Sequence, residues 1–242
     1  MNSLVLMLLA TLRERKDAHE AAAVQRNLLP REIPRIPGCG IALVWRPAMD
    51  LSGDYVDVLQ PLPGRLCIAI ADVVGKGAGA ALLMSNVQAA VRLLAGDGLA
   101  PRELTARLNR NISASLGSGK FITFFYGEMR GRRLFYTNAG HPAPVLVRAG
   151  GEVVRLEEGG AVLGVFDTWQ YGQGEIELAA GDRLILFTDG LTEAGDFGEE
   201  RLIEVLRASR RLGAHGIQKK VMSALAGYEV TDDLTLLTLA IE

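Results

Sequence analysis

The chain opens on 29 residues without Gly or Pro, rich in Leu, Ala, Arg and Glu, a composition that favours helix. Leu8, Leu12, Arg15, His19, Ala22, Arg26 and Leu29 fall on alternating four- and three-residue steps, a weak heptad that is apolar at its ends and polar in the middle. Two readings stay open: a surface helix packed on its own domain, or a connector helix joining an upstream sensor or a second copy. Pro30, Pro34 and Pro37 then end the helix and stiffen the approach to the rest of the chain.

Beyond Cys39 the pattern turns to short apolar runs. Ile41–Trp45, Tyr55–Leu59 and Leu66–Val73 read as strands separated by Pro, Gly and Asp clusters. Gly79–Leu94 and Pro101–Leu116 read as helices, the second with Pro in its first turn. Phe121–Met129, Arg133–Asn138, Val145–Val147, Val153–Leu156, Tyr171–Leu178 and Arg183–Thr188 are further strands, with hairpin signals at Arg130-Gly131 and Gly150-Gly151. A glycine-rich loop holds Gly159, Gly160 and Gly164. Glu199–Ser209 and Ile217–Ala226 are helical, and Leu234–Ile241 closes the chain as a strand. The strands come in antiparallel runs and the helices in pairs, so the class is α+β: an antiparallel β-sandwich flanked by helical layers. The organisation expected is an N-terminal helix over residues 1–29 and one domain over 30–242.

The stretch Leu66–Met84 organises the rest. Leu66, Ile68 and Ile70 share one parity and Cys67, Ala69 and Ala71 the other, so neither face is polar and the strand is covered on both sides. Asp72 follows Ile70 on the large-residue face, where a lone carboxylate needs a partner. A glycine turn through Gly75, Gly77 and Gly79 follows, without the spacing of a P-loop.

Composition narrows the function. The chain is 49% hydrophobic and 22% charged, with a formal net charge of −2 and 6% aromatic residues, so it has neither the basic stripe nor the stacking platform of a nucleic-acid binder. Leu4–Ala10 is shorter than the ~20 residues of a membrane span and has no basic residue before it, so neither a span nor a secretion signal is expected. Cys39 and Cys67 read as buried free thiols of a cytoplasmic protein.

Aspartates stand at four strand ends: Asp54 and Asp57 in SGDYVD, Asp72, Asp189 in FTDG, and Asp232 with Asp233 in TDDLT. Each alone is ordinary turn or cap chemistry. Brought to one rim by antiparallel packing, they would repel one another unless a cation neutralised them. All-oxygen ligands point to Mg²⁺ or Mn²⁺, and three histidines (His19, His141, His215) argue against zinc. Two ions sharing a carboxylate and a water would supply an activated hydroxide for phosphoester hydrolysis.

The stretches QRNLLP ending at Pro30, RPAMDLSGDYVD ending at Asp57, IADVVGKGAGAALLM over 70–84, TNAGHPAPVLV over 137–147, LFTDGLTEA over 186–194 and DDLTLLTL over 232–239 together resemble the SpoIIE/RsbU group of PPM-type (type 2C-like) metal-dependent serine/threonine phosphatases. The resemblance covers residues 22–241 in the family's order and implies a PPM-like sandwich. It also implies two Mn²⁺ or Mg²⁺ ions. Asp72 would bridge both, the Val73 carbonyl and Asp54 would complete one, and Asp189 and Asp232 would hold the other. Asp57 and Asp233 would be supporting residues. The implied substrate is a phosphorylated STAS-domain anti-sigma-factor antagonist, and the helix over 1–29 would link an upstream sensor or a homodimer partner. By the same analogy the helix after Gly79 belongs to the element that controls metal binding.

Departures are visible. Ser52 and Val56 interrupt the family's GGDYYD opening, and Val74 stands where larger relatives carry a histidine general acid. Arg46 and Lys76 are candidate phosphate ligands or plain surface residues, and His141 is read first as a satisfied imidazole in a Gly-His-Pro turn. The alternative in the same pathway is a catalytically weak or inactive phosphatase-like binding module. A nucleotide cyclase, suggested by the similarity of SGDYV to GGDEF, lacks the rest of that fold.

Overall fold

Strand parity sorts the β residues into two facing sheets. The computed structural model describes residues 3–117 and 119–242, with side chains from residue 16 onward. The elements in order are α1 (Ser3–Leu28), β1 (Cys39–Arg46), β2 (Tyr55–Leu62), β3 (Arg65–Val73), α2 (Ala78–Ala95), α3 (Pro101–Ser113), β4 (Ile122–Arg130), β5 (Arg133–Ala139), β6 (Val145–Val147), β7 (Val153–Arg155), β8 (Gly159–Gly160), β9 (Gly174–Glu177), β10 (Arg183–Phe187), α4 (Asp189–Thr192), α5 (Gly198–Ser209), α6 (Ala214–Ala224) and β11 (Leu234–Ile241). One sheet runs β1-β11-β10-β6-β7; the other runs β2-β3-β4-β5-β8, with β9 also paired to β5. Apart from the short β5–β8 pair, the ladders are antiparallel.

Ile68 and Ile70 of β3, Val56 and Val58 of β2, Leu184 and Leu186 of β10, and Leu237 and Leu239 of β11 fill the space between the sheets. The other face of β2 and β3 packs Tyr55, Cys67, Ala69, Ala71 and Val73 against Met84, Val87 and Val91 of α2 and Leu104 and Leu108 of α3. The outer face of the first sheet carries α5 and α6 through Ile185, Phe187, Leu202, Leu206, Ile217 and Val221. Burying each of these large apolar side chains contributes roughly 1.5–3 kcal/mol of transfer free energy. The small residues of β3 face the helices, so α2 can sit close to the sheet. The α+β sandwich between helical layers is the architecture expected from the sequence.

Among the described residues, Ala78–Ala95 is the one helix long and apolar enough to cross a membrane. Its buried face, which includes Ala80, Met84, Val87 and Val91, packs as a core helix on β3. Both cysteines are free and buried, and burial pushes each thiol up to about 11.

The structure differs from the sequence expectation at the glycines. The strand expected over Tyr171–Leu178 is confined to β9, and the loop around Gly159 contains β8. A side chain at Gly174 would overlap the Tyr136 ring, and one at Gly159 would overlap the Asn138 carbonyl, so both segments lie against β5 only because they lack one. Of the N-terminal stripe, Leu8, Leu12 and Arg15 lie outside the described side chains. In its last turns α1 buries Ala22 and Gln25 and exposes Arg26, while Leu29, just past its end, is buried, so the packed face is shifted from the heptad read in the sequence.

Candidate active site

Five aspartates reach the same end of the sandwich because each lies at the end of a strand running to that end. Asp72 and Thr123 are paired across β3 and β4, Asp54 immediately precedes β2, Asp189 opens α4 two residues after β10, and Asp232 and Asp233 immediately precede β11. Residues of inward parity at these ends face the gap between the sheets rather than the helical layers. The structure thus brings together Asp54, Asp72, the Val73 backbone, Asp189 and Asp232.

Asp54 is the most deeply held. It is 1% exposed, and its Oδ2 accepts hydrogen bonds from Thr188 Oγ1 at 2.8 Å and Thr235 Oγ1 at 2.6 Å. Both hydroxyls come from the opposite sheet, so this carboxylate spans the sandwich. Thr188 Oγ1 also accepts from the Thr235 amide at 2.9 Å, which fixes its hydrogen toward Asp54. Gly53 lies so close to the Val73 carbonyl that a Cβ there would approach its oxygen to 2.9 Å. The Asp54 loop and the Val73 carbonyl are therefore immediate neighbours.

Asp72 sits electrostatically between two arms. Burial, followed by the negative charges of Asp189, Asp232, Asp233 and Glu193, lifts its carboxyl from the ordinary 3.8 to about 7. Asp54 is raised well above 3.8 by burial and then by Asp72, against the lowering effect of its two hydroxyl donors. Asp189 is raised by burial, then by Glu193 and Asp232. The charges acting most strongly on Asp72 are all negative, which leaves an uncompensated negative field. Lys76 pairs with Asp232 at the exposed rim, its Nζ 3.1 Å from Oδ2 and donating to the Thr231 carbonyl at 3.0 Å.

The sign of this field sets a pH dependence. In protein kept free of divalent ions by chelator, folded Asp72 keeps a proton that the unfolded chain has released above its ordinary 3.8. Stability is therefore full below that value and is lost as pH rises through about 7. The melting temperature in EDTA should fall by roughly 5 °C from about pH 5 to about pH 8 relative to Asp72→Asn, whose side chain does not titrate. Parallel profiles for the two proteins would contradict the raised carboxyl.

The remaining residues sort by the direction of their side chains. Asp57 shares the parity of Tyr55 and points away from the rim. It is fully buried and accepts from Arg92 Nε at 2.7 Å, Tyr55 Oη at 3.1 Å and the Val58 amide at 3.0 Å, which makes it structural. Asp233 turns both oxygens to backbone amides, Ala48 at 2.7 Å and Gly53 at 2.8 Å, and so ties the last strand to the Asp54 loop. His141 is 4% exposed, with Nδ1 2.9 Å from Thr123 Oγ1 and Nε2 3.1 Å from the Phe187 carbonyl. Burial lowers it to about 3, so it is a neutral, fully engaged ring, as the Gly-His-Pro turn suggested. Arg46 is exposed at the end of β1.

Sequence reasoning missed Thr188, Thr235 and Glu193. The two threonines adjoin the aspartate motifs, on the inward parity of β10 and β11, and that parity was the available signal. Glu193 lies four residues after Asp189, the spacing that puts two helical side chains on one face.

The donor set suits a hard divalent cation: carboxylates and a carbonyl, with a surplus of negative charge. Among the described residues no three His, Cys, Asp or Glu side chains form a ready-made cage. Mg²⁺ commonly binds through one or two carboxylates and keeps several waters, so an open arrangement of this kind fits it.

Comparison with known proteins places this geometry. The family model described as Stage II sporulation protein E (SpoIIE) matches residues 63–242. The phosphoserine phosphatase RsbU of Bacillus subtilis (strain 168) is 32% identical over 229 residues, covering 90% of this chain and 68% of RsbU. The crystal structure of the RsbU and RsbW domains of Rv1364c from Mycobacterium tuberculosis superposes with a TM-score of 0.77 at 26% identity, over 87% of this chain and 62% of that one. The SiaA-PP2C domain of Pseudomonas aeruginosa shares the fold with a TM-score of 0.83 at 23% identity, over 96% and 99% of the two chains. The chain thus spans about two thirds of the first two proteins. With strand order, acid motifs and family match in agreement, the chain belongs to the SpoIIE family of PPM/PP2C-like protein phosphatases.

Proposed function

We propose that this chain removes phosphate from a phosphoserine or phosphothreonine of a regulatory protein, through divalent ions held at the acid-lined end of the sandwich. One observation carries the reading: the buried Asp54 carboxylate, clasped across both sheets by Thr188 and Thr235, faces Asp72 in an uncompensated negative field. Asp54 and the Val73 carbonyl would hold one Mn²⁺ or Mg²⁺, Asp189 and Asp232 a second, with Asp72 shared between them. Such ions, when bound, supply a hydroxide at neutral pH and offset the charge of the phosphoryl oxygens.

The chain's own residues do the positioning. Thr188 and Thr235 fix the orientation of Asp54, and Asp233 fixes the loop that carries it. Lys76, tied to Asp232 at the rim, adds a positive charge where an anionic substrate would arrive. His141 is not the general acid, since both ring nitrogens are engaged and the ring is neutral to about pH 3. Val74 cannot donate a proton either, so the leaving serine or threonine oxygen takes its proton from water or from another group at the rim. The named activity of RsbU supports a phosphoserine substrate, and the family resemblance supports a STAS-domain protein as its carrier. The helix α1 would link catalysis to a sensor or a second copy, in the cytoplasm.

The test is phosphate release from a phosphoserine-bearing STAS-domain protein, with Mn²⁺ and then with EDTA. Release at least about 10²-fold faster with Mn²⁺ is expected. Normal binding of the phosphoprotein with no turnover and no calorimetric Mn²⁺ binding would instead establish a binding module.

A further inference from the structure

The loop that carries Asp54 is bonded at three consecutive amides. The Gly53 amide donates to Asp233 Oδ2 at 2.8 Å and the Asp54 amide to Ser52 Oγ at 3.0 Å. The third bond comes from outside the sandwich. The Ser52 amide donates to Gln25 Oε1 at 3.0 Å, and Gln25 Nε2 donates back to the Ser52 carbonyl at 2.7 Å. One side-chain amide therefore closes on the N–H and the C=O of a single residue, as a neighbouring strand would. A primary amide can donate and accept at once, whereas a carboxylate only accepts and an ammonium only donates.

Gln25 lies on α1 and is 3% exposed. Its position is fixed because the same helix end is held to α2: Gln88 Nε2 and Arg92 Nη2 each donate to the Leu28 carbonyl at 3.1 Å. Ala22 and Leu29 already give α1 an apolar seat, so docking the helix does not by itself require a buried amide. Leaving such an amide unpaired is costly, and here it is spent on the backbone two residues before Asp54. The Ser52 side chain then passes the constraint to the Asp54 amide.

We propose that Gln25 is a positioning residue of the active site, setting where Asp54 stands by clamping the Ser52 backbone from α1. The assignment rests on the reading above in which Asp54 holds a divalent ion.

Gln25→Ala in the full chain should raise the Mn²⁺ concentration for half-maximal phosphatase activity, and the calorimetric Kd for Mn²⁺, by about tenfold. Its kcat at saturating Mn²⁺ should stay within about twofold of wild type, because ion binding restores the loop. Gln25→Glu, which keeps the acceptor and loses the donor, should fall between the two. In EDTA the Asp54 amide should exchange with solvent faster in Gln25→Ala than in wild type. Gln88→Ala removes one of the two donors to the Leu28 carbonyl but leaves Arg92 and the Gln25–Ser52 pair in place, so it should shift the Mn²⁺ requirement by less than about twofold. An unchanged Mn²⁺ requirement in Gln25→Ala, or an equal shift in Gln88→Ala, would overturn the assignment. Should the wild-type protein neither bind nor need Mn²⁺, the reading of the site fails, and the exchange of the Asp54 amide alone decides the clamp.

Discussion

Asp72→Asn should lower Mn²⁺-dependent turnover by at least about 10³-fold while the protein stays folded. Asn has nearly the shape of Asp but only one acceptor oxygen and no charge, so it cannot be shared between two cations. The fold survives because Asp72 contributes charge rather than packing: its neighbours Ile70 and Val73 fill the core, and its β-ladder partner is Thr123. In EDTA at about pH 8 the variant should melt above wild type, since the carboxylate replaced is one that burial and four acids hold at about 7. Turnover, near-ultraviolet circular dichroism and a melting curve measured together decide the matter. A folded variant with full Mn²⁺-dependent turnover would end the two-ion reading.

Gly190→Ala should be the most damaging single methyl in the protein's active end. A Cβ at this position would overlap the Asp233 carbonyl oxygen and come within 3.2 Å of the Asp232 carbonyl carbon. The backbone torsion of Gly190 is not in the left-handed region, so closeness alone demands glycine here. The added methyl would push α4 away from the start of β11. That displacement would strain the Thr188 amide's bond to the Thr235 carbonyl, 3.1 Å, and separate Asp189 from Asp232. A stability loss of about 3 kcal/mol is expected, which for a chain of this size lowers the melting temperature by about 10 °C. Turnover should fall at least about 10²-fold even at saturating Mn²⁺, because the acid pair is misplaced rather than merely weakened. Gly150, with open space around it, provides the comparison, and Gly150→Ala should change neither quantity. Equal behaviour of the two variants would show that the close approach at Gly190 does not matter.

Gly190 also shows where sequence reasoning stops. Asp-Gly after an apolar strand is turn chemistry on any sequence, and nothing local says that this glycine exists to let the Asp233 backbone approach. The strands themselves were readable, since alternation along β3 separates Ile68 and Ile70 from Ala69 and Ala71, and the two faces meet different layers as expected. The aspartates at strand ends were readable too, because a carboxylate on an apolar face is a local anomaly. Asp57 illustrates the limit of that signal. It stands three residues from Asp54, yet opposite parity sends it under α2 to Arg92.

The sequence by itself determined the order of the strands and helices apart from β8 and α4, the parity of the long strands, the family motifs and the acids able to meet a cation. Those features are local: a residue's neighbours along the chain suffice to place it on a face. Tertiary structure alone decided that Thr188 and Thr235 clasp Asp54, that Asp233 and Gln25 hold its loop, and that Thr123 and the Phe187 carbonyl are the partners of the His141 ring. The Asp54–Thr235 bond joins residues 181 apart and the Gly53–Asp233 bond residues 180 apart. Such partners are chosen by the register of two facing sheets, a long-range property that no window of the chain contains.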